Sequence, residues 1–427
     1  MTTPIAIPSA AAASSAAAAS SPAAASSPAA DDGSQYTKHI SLFPAYARRA
    51  SDDSGDWELR ASGWLSQTKE RSKRSRFLLG LSQRLLAPSS VNDEAAGMLY
   101  QERMSPFFAR SLRRTSVRIA VVDLAPAVLP IVEFKAETPD ELDLLDDEEV
   151  AKLDGDALRE QRGKYLWEDV VTDSSGIFSS TMRIPQAFVD NLLADAPDSH
   201  QPVALVRLRI LAYLPETYEE THALSVVTLV PPTGVSIISD IDDTIKDSSV
   251  FVGKLTAAKV AFTEDAKEVP GMSDAYTLLS SKGVAIHYVS AGPFQLYPSI
   301  AEFLRMFVFP EGSVSLRNVL EYMSTRAYKN AVITRLFQDF PKRKFILIGD
   351  SGEKDIEIYA TADKAAPDMS IKIFIRNVTG DVAKHDELGA KADGFYGKPR
   401  DSAKWTFFVD PTSIITDEIV TASLASD

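Results

Sequence analysis

From Thr115 to Pro232 apolar and polar residues alternate in runs such as "VRIAVVDL", "GIFSSTMRI", "LVRLRILAYL" and "ALSVVTLV". Period-two alternation predicts strands with one buried face, and the shortage of helical patterns between them predicts an antiparallel, sandwich-like arrangement. "WELRASGWL" (57–65) reads as a further strand. After the turn-forming "PPTG" (231–234) the pattern changes. "VSIIS", "VAIHYVS", "KFILIGD" and "IKIFIRNV" are nearly continuous apolar runs, separated by the helical patterns "MSDAYTLLSSKG", "YPSIAEFLRMF", "KNAVITRLFQDF" and "EKDIEIYATADKA". Strands apolar on both faces and alternating with helices predict an α/β fold, a Rossmann-like parallel sheet covered on both sides.

The expected organisation is a disordered tail over 1–34, a helical segment and β-rich sandwich-like domain over 35–232, and a C-terminal α/β domain over 233–427. The tail is Ala, Ser and Pro and offers no large apolar side chains to offset the entropy of ordering. It has neither the arginines of a transit peptide nor the basic start and bulky apolar stretch of a signal peptide. The helical segment is "SQTKERSKRSRFLLGLSQRLLA", where Lys69, Arg71, Lys73, Arg74 and Arg76 precede leucines at helical spacing. Its bland reading is a core-facing helix with a solvated basic end, and its sharp one a helix on anionic lipid headgroups. The acidic stretch at 137–161 has no EF-hand pattern and reads as a solvated helix or loop.

Composition narrows the chemistry. The 427 residues contain no cysteine, which removes disulfides, thiolate nucleophiles and cysteine-based zinc sites, and suits a reducing compartment such as the cytoplasm. Five scattered histidines do not form a zinc motif. A net charge of −14 argues against nucleic acid as a partner. No apolar run reaches the length needed to span a bilayer, so any membrane association is expected to be peripheral.

The candidate site begins at "SDIDDTIKDSSV", where a strand runs into Asp240, Asp242 and Asp243. In extended geometry residues i and i+2 share a side, so Asp240 and Asp242 can meet in one site while Asp243 turns away. Carboxylates that close repel one another, and a hard cation bound by oxygen relieves the conflict, with Mg²⁺ the natural choice. A second strand ends at Ser290, a third at Asp350 with Asp355 five residues on, and Lys329 precedes the third strand. A carboxylate nucleophile, a proton-transfer carboxylate, a hydroxyl donor, a cation and metal ligands at one sheet edge are the components of phosphoryl transfer.

These motifs, "DIDDT", Ser290, Lys329 and "GDSGEKD" in that order, resemble the haloacid dehalogenase-like phosphatases. "GVSIISDIDDTIKDSSV", "PGMSDAY", "HYVSAGPFQLYP" and "IFIRNV" are similar to the Mg²⁺-dependent phosphatidate phosphatases of the yeast actin-patch type. The resemblance covers about residues 231–400 and implies a haloacid-dehalogenase-like fold. It implies that Asp240 forms an aspartyl-phosphate, Asp242 is the general acid and base, and Ser290 and Lys329 hold the phosphoryl oxygens. Mg²⁺ would be bound by Asp240, Asp350, the backbone carbonyl of Asp242, and Asp355 as ligand or anchor. Phe294 and "KVAFTED" (259–265) depart from the family pattern near the expected substrate entrance. The segments between the motifs leave no room for a large cap, so the expected substrate is bulky: phosphatidate in membranes, or alternatively a phosphoprotein or other phosphomonoester. The resemblance also suggests endocytic or actin-patch proteins as partners, and a membrane or cytoskeletal adaptor with subsidiary phosphatase activity is the alternative from another class.

Overall fold

The change of hydrophobic period near residue 234 separates two sheets, which with their helices make a mixed α/β structure. The computed structural model describes residues 36–52, 54–69, 79–84, 94–125, 166–194, 205–215 and 221–425. The predicted tail, the four arginine and lysine positions from Arg71 to Arg76, and the acidic stretch 137–161 lie outside the described residues. Lys69 is described, and it closes a strand.

The first sheet comprises β1 (Tyr36–Arg49), β2 (Trp57–Lys69), β3 (Arg110–Ser111), β4 (Ser116–Leu124), β5 (Leu166–Val171), β6 (Ile177–Ile184), β7 (Arg207–Tyr213) and β8 (His222–Leu229). Alternation governs burial as expected: in β6, Phe178, Ser180, Met182 and Ile184 are buried and the residues between them are not. The strands form one hydrogen-bonded network, ordered β3-β2-β1-β8-β7-β4-β5 with β6 also on β2. All pairs are antiparallel except β1 with β8. Ser180 of β6 donates to Glu168 of β5, so the outlying strands of this network meet. The sheet therefore curls over a shared core that includes Leu59, Val117, Phe178, Leu208 and Val227.

The second sheet comprises β9 (Val235–Ser239), β10 (Ala285–Pro293), β11 (Ser313–Arg317), β12 (Lys344–Asp350), β13 (Ser370–Arg376) and β14 (Trp405–Phe408). Its order is β11-β10-β9-β12-β13-β14 and every pair is parallel. The continuous apolar runs are explained by two separate cores. Ile346 and Ile348 pack on one face with helices Met272–Ser281 and Tyr297–Met306, whereas Phe345 and Leu347 pack on the other with helices Thr325–Asp339 and Asp355–Ala365. β9 lies between β10 and β12, and Ser239 is in register with both Tyr288 and Ile348. Asp240, Ser290 and Asp350 consequently emerge side by side at the carboxyl edge.

Aromatic side chains fasten the first sheet to the second. Tyr46 stands edge-on to His287 at 5.4 Å, Trp64 meets Phe294 at 5.2 Å and Phe43 meets Tyr297 at 5.0 Å between ring centroids. The Tyr46 hydroxyl donates to Asp339 at 2.6 Å, and Arg48 and Arg60 pair with the same carboxylate. His287 is fully enclosed, and burial pushes its pKa down to about 3, so it occupies this seam as a neutral ring. Helix Glu94–Phe108 adds a second fastening, because Tyr100 and Phe107 pack on Phe262 and Arg103 donates to the carbonyls of Ala261 and Glu264.

The junction itself is held by Arg343, whose side chain is almost completely buried. Its guanidinium donates to the carbonyls of Pro231, Thr233 and Val235 and to Ser236 Oγ. One cation thus satisfies the turn and the first residues of β9 together, and removing it strands several buried acceptors. Arg343→Ala is expected to cost about 3 kcal/mol or more, read as a lower denaturation midpoint in urea.

Candidate active site

β9 delivers Asp240 into the interior, where it is 1 % exposed. Its backbone N–H continues the sheet by donating to Ile348 O at 2.9 Å, which fixes the direction of the side chain. Thr244 Oγ1 donates to Asp240 Oδ2 at 3.1 Å, and Lys329 Nζ lies 2.6 Å from Asp240 Oδ1. The same ammonium lies 2.6 Å from Asp355 Oδ1. Lys329 belongs to the helix Thr325–Asp339, so this fork ties that helix to both β9 and the helix that begins at Asp355.

The other carboxylates divide into distinct tasks. Asp355 Oδ2 accepts the backbone N–H of Asp350 at 3.2 Å, so both of its oxygens are engaged. Asp350 Oδ1 accepts the N–H groups of Gly352 and Glu353, while its buried Oδ2 has no hydrogen-bond partner. Asp242 accepts from Ser248 Oγ at 2.7 Å and from Ser290 Oγ at 3.2 Å. Ser290 Oγ in turn accepts the N–H of Gly292 at 3.0 Å. Asp243 turns elsewhere, as its sequence position suggested, and accepts the N–H groups of Ser248 and Phe251 at 2.9 Å each. It adopts φ 53°, a left-handed conformation in which aspartate is among the better tolerated residues.

The predicted catalytic set Asp240, Asp242, Ser290 and Lys329 is thus joined through Asp240–Lys329 and Asp242–Ser290 contacts at one edge. Two of the four predicted metal positions, Asp240 and Asp350, come together with a third carboxylate. Oxygen atoms of Asp240, Asp350 and Glu353 all lie within 4.8 Å of one another, a group that could hold a metal ion. The Asp242 and Asp355 carboxylates stand outside that group, held by serine hydroxyls and by the Lys329 fork respectively. Glu353 was not foreseen. It lies within "GDSGEKD", where the turn after β12 brings it back over the strand end; its charge and its place between two recognised aspartates were the available signals.

Electrostatics explain why this group calls for a cation. Burial, followed by repulsion from Asp355, raises the pKa of Asp350 well above the usual carboxylate range. Burial likewise raises Asp240 and Glu353, against the pull of Lys329. For Lys329 burial opposes the charge, but Asp240 and Asp355 outweigh it and raise its pKa. One ammonium faces four carboxylates, a shortage of positive charge that a divalent ion would relieve. All three converging donors are carboxylate oxygens and one buried oxygen lacks a partner, so the residues fit a hard cation.

Set beside known proteins, residues 235–377 match the family described as "Phosphatidate phosphatase APP1, catalytic domain". Over this segment the chain is similar to the APP1-type catalytic domains. It is 35% identical over 170 residues to phosphatidate phosphatase APP1 of Saccharomyces cerevisiae, covering 37% of this chain and 29% of that protein. It is also 32% identical over 168 residues to an uncharacterized protein of Schizosaccharomyces pombe, covering 37% of this chain and 27% of that protein. The chain thus spans less than a third of the length of these curated relatives. Among solved structures, a class C acid phosphatase from Bacillus anthracis with tungstate bound aligns over 40% of this chain and 80% of its own. Its identity is 18% and its TM-score 0.24.

Gly349 exposes how tightly the fork is built. A Cβ on it would stand 2.4 Å from Asp355 Oδ2 and 2.7 Å from Asp355 Cβ, so only glycine lets the helix start close against the strand. Gly349→Ala is expected to displace Asp355 and lower stability by about 1–3 kcal/mol, measurable by urea unfolding. The same variant should perturb the Asp355 carboxyl resonance in NMR, whereas a remote packing defect would leave it unchanged.

Proposed function

We propose that the second sheet and its helices form a haloacid-dehalogenase-like phosphatase domain, spanning about residues 233–427, that hydrolyses phosphatidate to diacylglycerol and phosphate. The observation that carries this reading is the buried fork in which Lys329 faces Asp240 and Asp355, beside the carboxylates of Asp350 and Glu353. The substrate is supported by the similarity of residues 235–377 to the phosphatidate phosphatase family.

In this reading an Asp240 carboxylate oxygen attacks phosphorus, and the bond from phosphorus to the glycerol oxygen breaks. Asp242 gives a proton to that leaving oxygen, and its carboxylate then takes a proton from the water that attacks the aspartyl-phosphate, releasing phosphate and restoring Asp240. Ser290 is positioned for both partners, because its hydroxyl reaches Asp242 and its own oxygen is oriented by the Gly292 N–H. Lys329 holds Asp240 in place before attack and balances charge on the phosphoryl oxygens as it develops. Thr244 orients the second oxygen of Asp240.

Mg²⁺ is the proposed cofactor. Asp240, Asp350 and Glu353 would hold it, and when bound it supplies positive charge that neutralises carboxylate and phosphate oxygens. Asp355, with both oxygens committed, serves as the anchor that orients Lys329 and the β12 turn.

The test is phosphate release from vesicles containing phosphatidate, with a phosphopeptide and a soluble phosphate ester in parallel. Lipid hydrolysis is expected, with loss of at least about a thousandfold in Asp240→Asn and on chelation by EDTA. Undiminished activity of Asp240→Asn would sink the mechanism, and activity on the phosphopeptide alone would sink the substrate. Glu353→Gln is expected to weaken Mg²⁺ about 10- to 100-fold, read as a higher concentration needed to raise the thermal midpoint. An unaltered Mg²⁺ titration would remove Glu353 from the metal site.

A further inference from the structure

Sixteen large apolar side chains are exposed among the described residues, and eight of them fall in segments leaving the carboxyl edge of the second sheet. That edge also bears Asp240, Ser290 and Asp350. After β9 come Phe251, Val252 and Leu255, the last of them 70 % exposed. Leu320 and Met323 follow β11 and are each 84 % exposed, and Val382 follows β13 at 64 %. β11 and β13 lie two strands to either side of β9, so the apolar segments leave the sheet on both flanks of the site, from strand ends about 10 Å away.

The tips are joined to the site by short, rigid paths. The Phe251 N–H donates to Asp243 Oδ2, and a Cβ on Gly352 would stand only 2.5 Å from Phe251 Cβ. Gly352 is the residue whose N–H holds Asp350 Oδ1. Met323 immediately precedes Ser324, whose hydroxyl caps the helix carrying Lys329. Phe251 and Met323 are therefore anchored to the framework that holds the acidic cluster.

Exposed cations stand among them, Lys354 beside the β12 turn, Lys384 beside Val382 and Arg326, paired with Glu357, beside Met323, together with the exposed acids Asp247, Glu321 and Asp381. In a chain with a net charge of −14, Lys354 and Lys384 give the apolar tips neighbouring ammonium groups that can meet lipid phosphates. Apolar tips interleaved with cations match a bilayer interface, where side chains enter the acyl boundary while ammonium groups meet lipid phosphates. No described helix is long and apolar enough to cross a membrane.

We propose that this edge is a membrane-docking face: Leu320, Met323, Val382 and the Phe251–Leu255 segment insert into an anionic bilayer and bring its headgroup phosphates level with Asp240. The proposal rests on the reading of phosphatidate as substrate for its purpose, though not for its binding test. It places docking on the catalytic edge, whereas the sequence had pointed only to the basic segment near Arg74.

The test uses the full chain carrying Asp240→Asn, with and without Leu320→Asp, Met323→Asp and Val382→Asp together, sedimented with vesicles of phosphatidylcholine and phosphatidylserine. The protein with native tips is expected to co-sediment, and the triple aspartate variant to bind at least about tenfold more weakly. Leu320→Trp with Met323→Trp should keep or strengthen binding, since aromatic rings suit the interface. In the Asp240 background, the aspartate variant should lose hydrolysis of long-chain phosphatidate in vesicles but keep that of monomeric dioctanoyl phosphatidate within about twofold. Equal sedimentation with and without the aspartates, no sedimentation of the native-tip protein, or equal loss on both lipids would overturn the proposal. If neither lipid is hydrolysed while sedimentation still depends on the tips, the substrate reading fails and the docking face stands.

Discussion

Everything at the carboxyl edge depends on one ammonium group shared between two buried carboxylates. Lys329 is 1 % exposed and sits 2.6 Å from both Asp240 and Asp355, so three chain segments far apart in sequence are drawn to one point. An unpaired charge at such depth would be severely penalised, which makes the three groups mutually obligatory. Their geometry is reinforced at each root. Asp240 continues the ladder through Ile348, Asp355 packs against Gly349, and Lys329 is carried by a helix with Val332, Ile333 and Leu336 in the core beneath.

The fork leaves the neighbouring carboxylates with a deficit of positive charge, and the division of labour follows from where each finds partners. Asp243 spends its oxygens on backbone N–H groups and shapes the loop. Asp242 is kept by the hydroxyls of Ser248 and Ser290. Asp240, Asp350 and Glu353 face one another as a group that could hold a metal ion, and the buried Asp350 Oδ2 among them has no hydrogen-bond partner.

Much of this was legible in the sequence because the signals were periodic or adjacent. Runs such as "KFILIGD" are apolar at every position only when both faces are covered, and the two cores on β12 supply that cover. Asp240 and Ser290 emerge at the same edge because their strands are neighbours in a parallel sheet, so strand ends were informative. The opposite orientation of Asp243 was likewise readable from its parity. Glu353 was not legible, because it depends on the path of a four-residue turn whose backbone is organised by Asp350. The curl that joins eight upstream strands into one network was also hidden, since alternation reveals which face is buried and not which strand lies opposite. Nor could local pattern disclose that Tyr46 would reach Asp339 across the junction.

The segment that matches the catalytic family ends at residue 377, but the sheet does not. β14 pairs with β13 beyond that point, and Trp405 and Val420 each complete one of the two cores. A fragment cut to the matched residues would therefore present β13 as a bare edge, with the backbone groups of Ile373 to Arg376 unpaired and apolar surface open on either side. Its amino end would lack the ring of Tyr46 over His287 and Phe340. Recognisable chemistry and self-sufficient solubility thus have different borders in this chain, and a fragment drawn along the first would invite strand-to-strand aggregation.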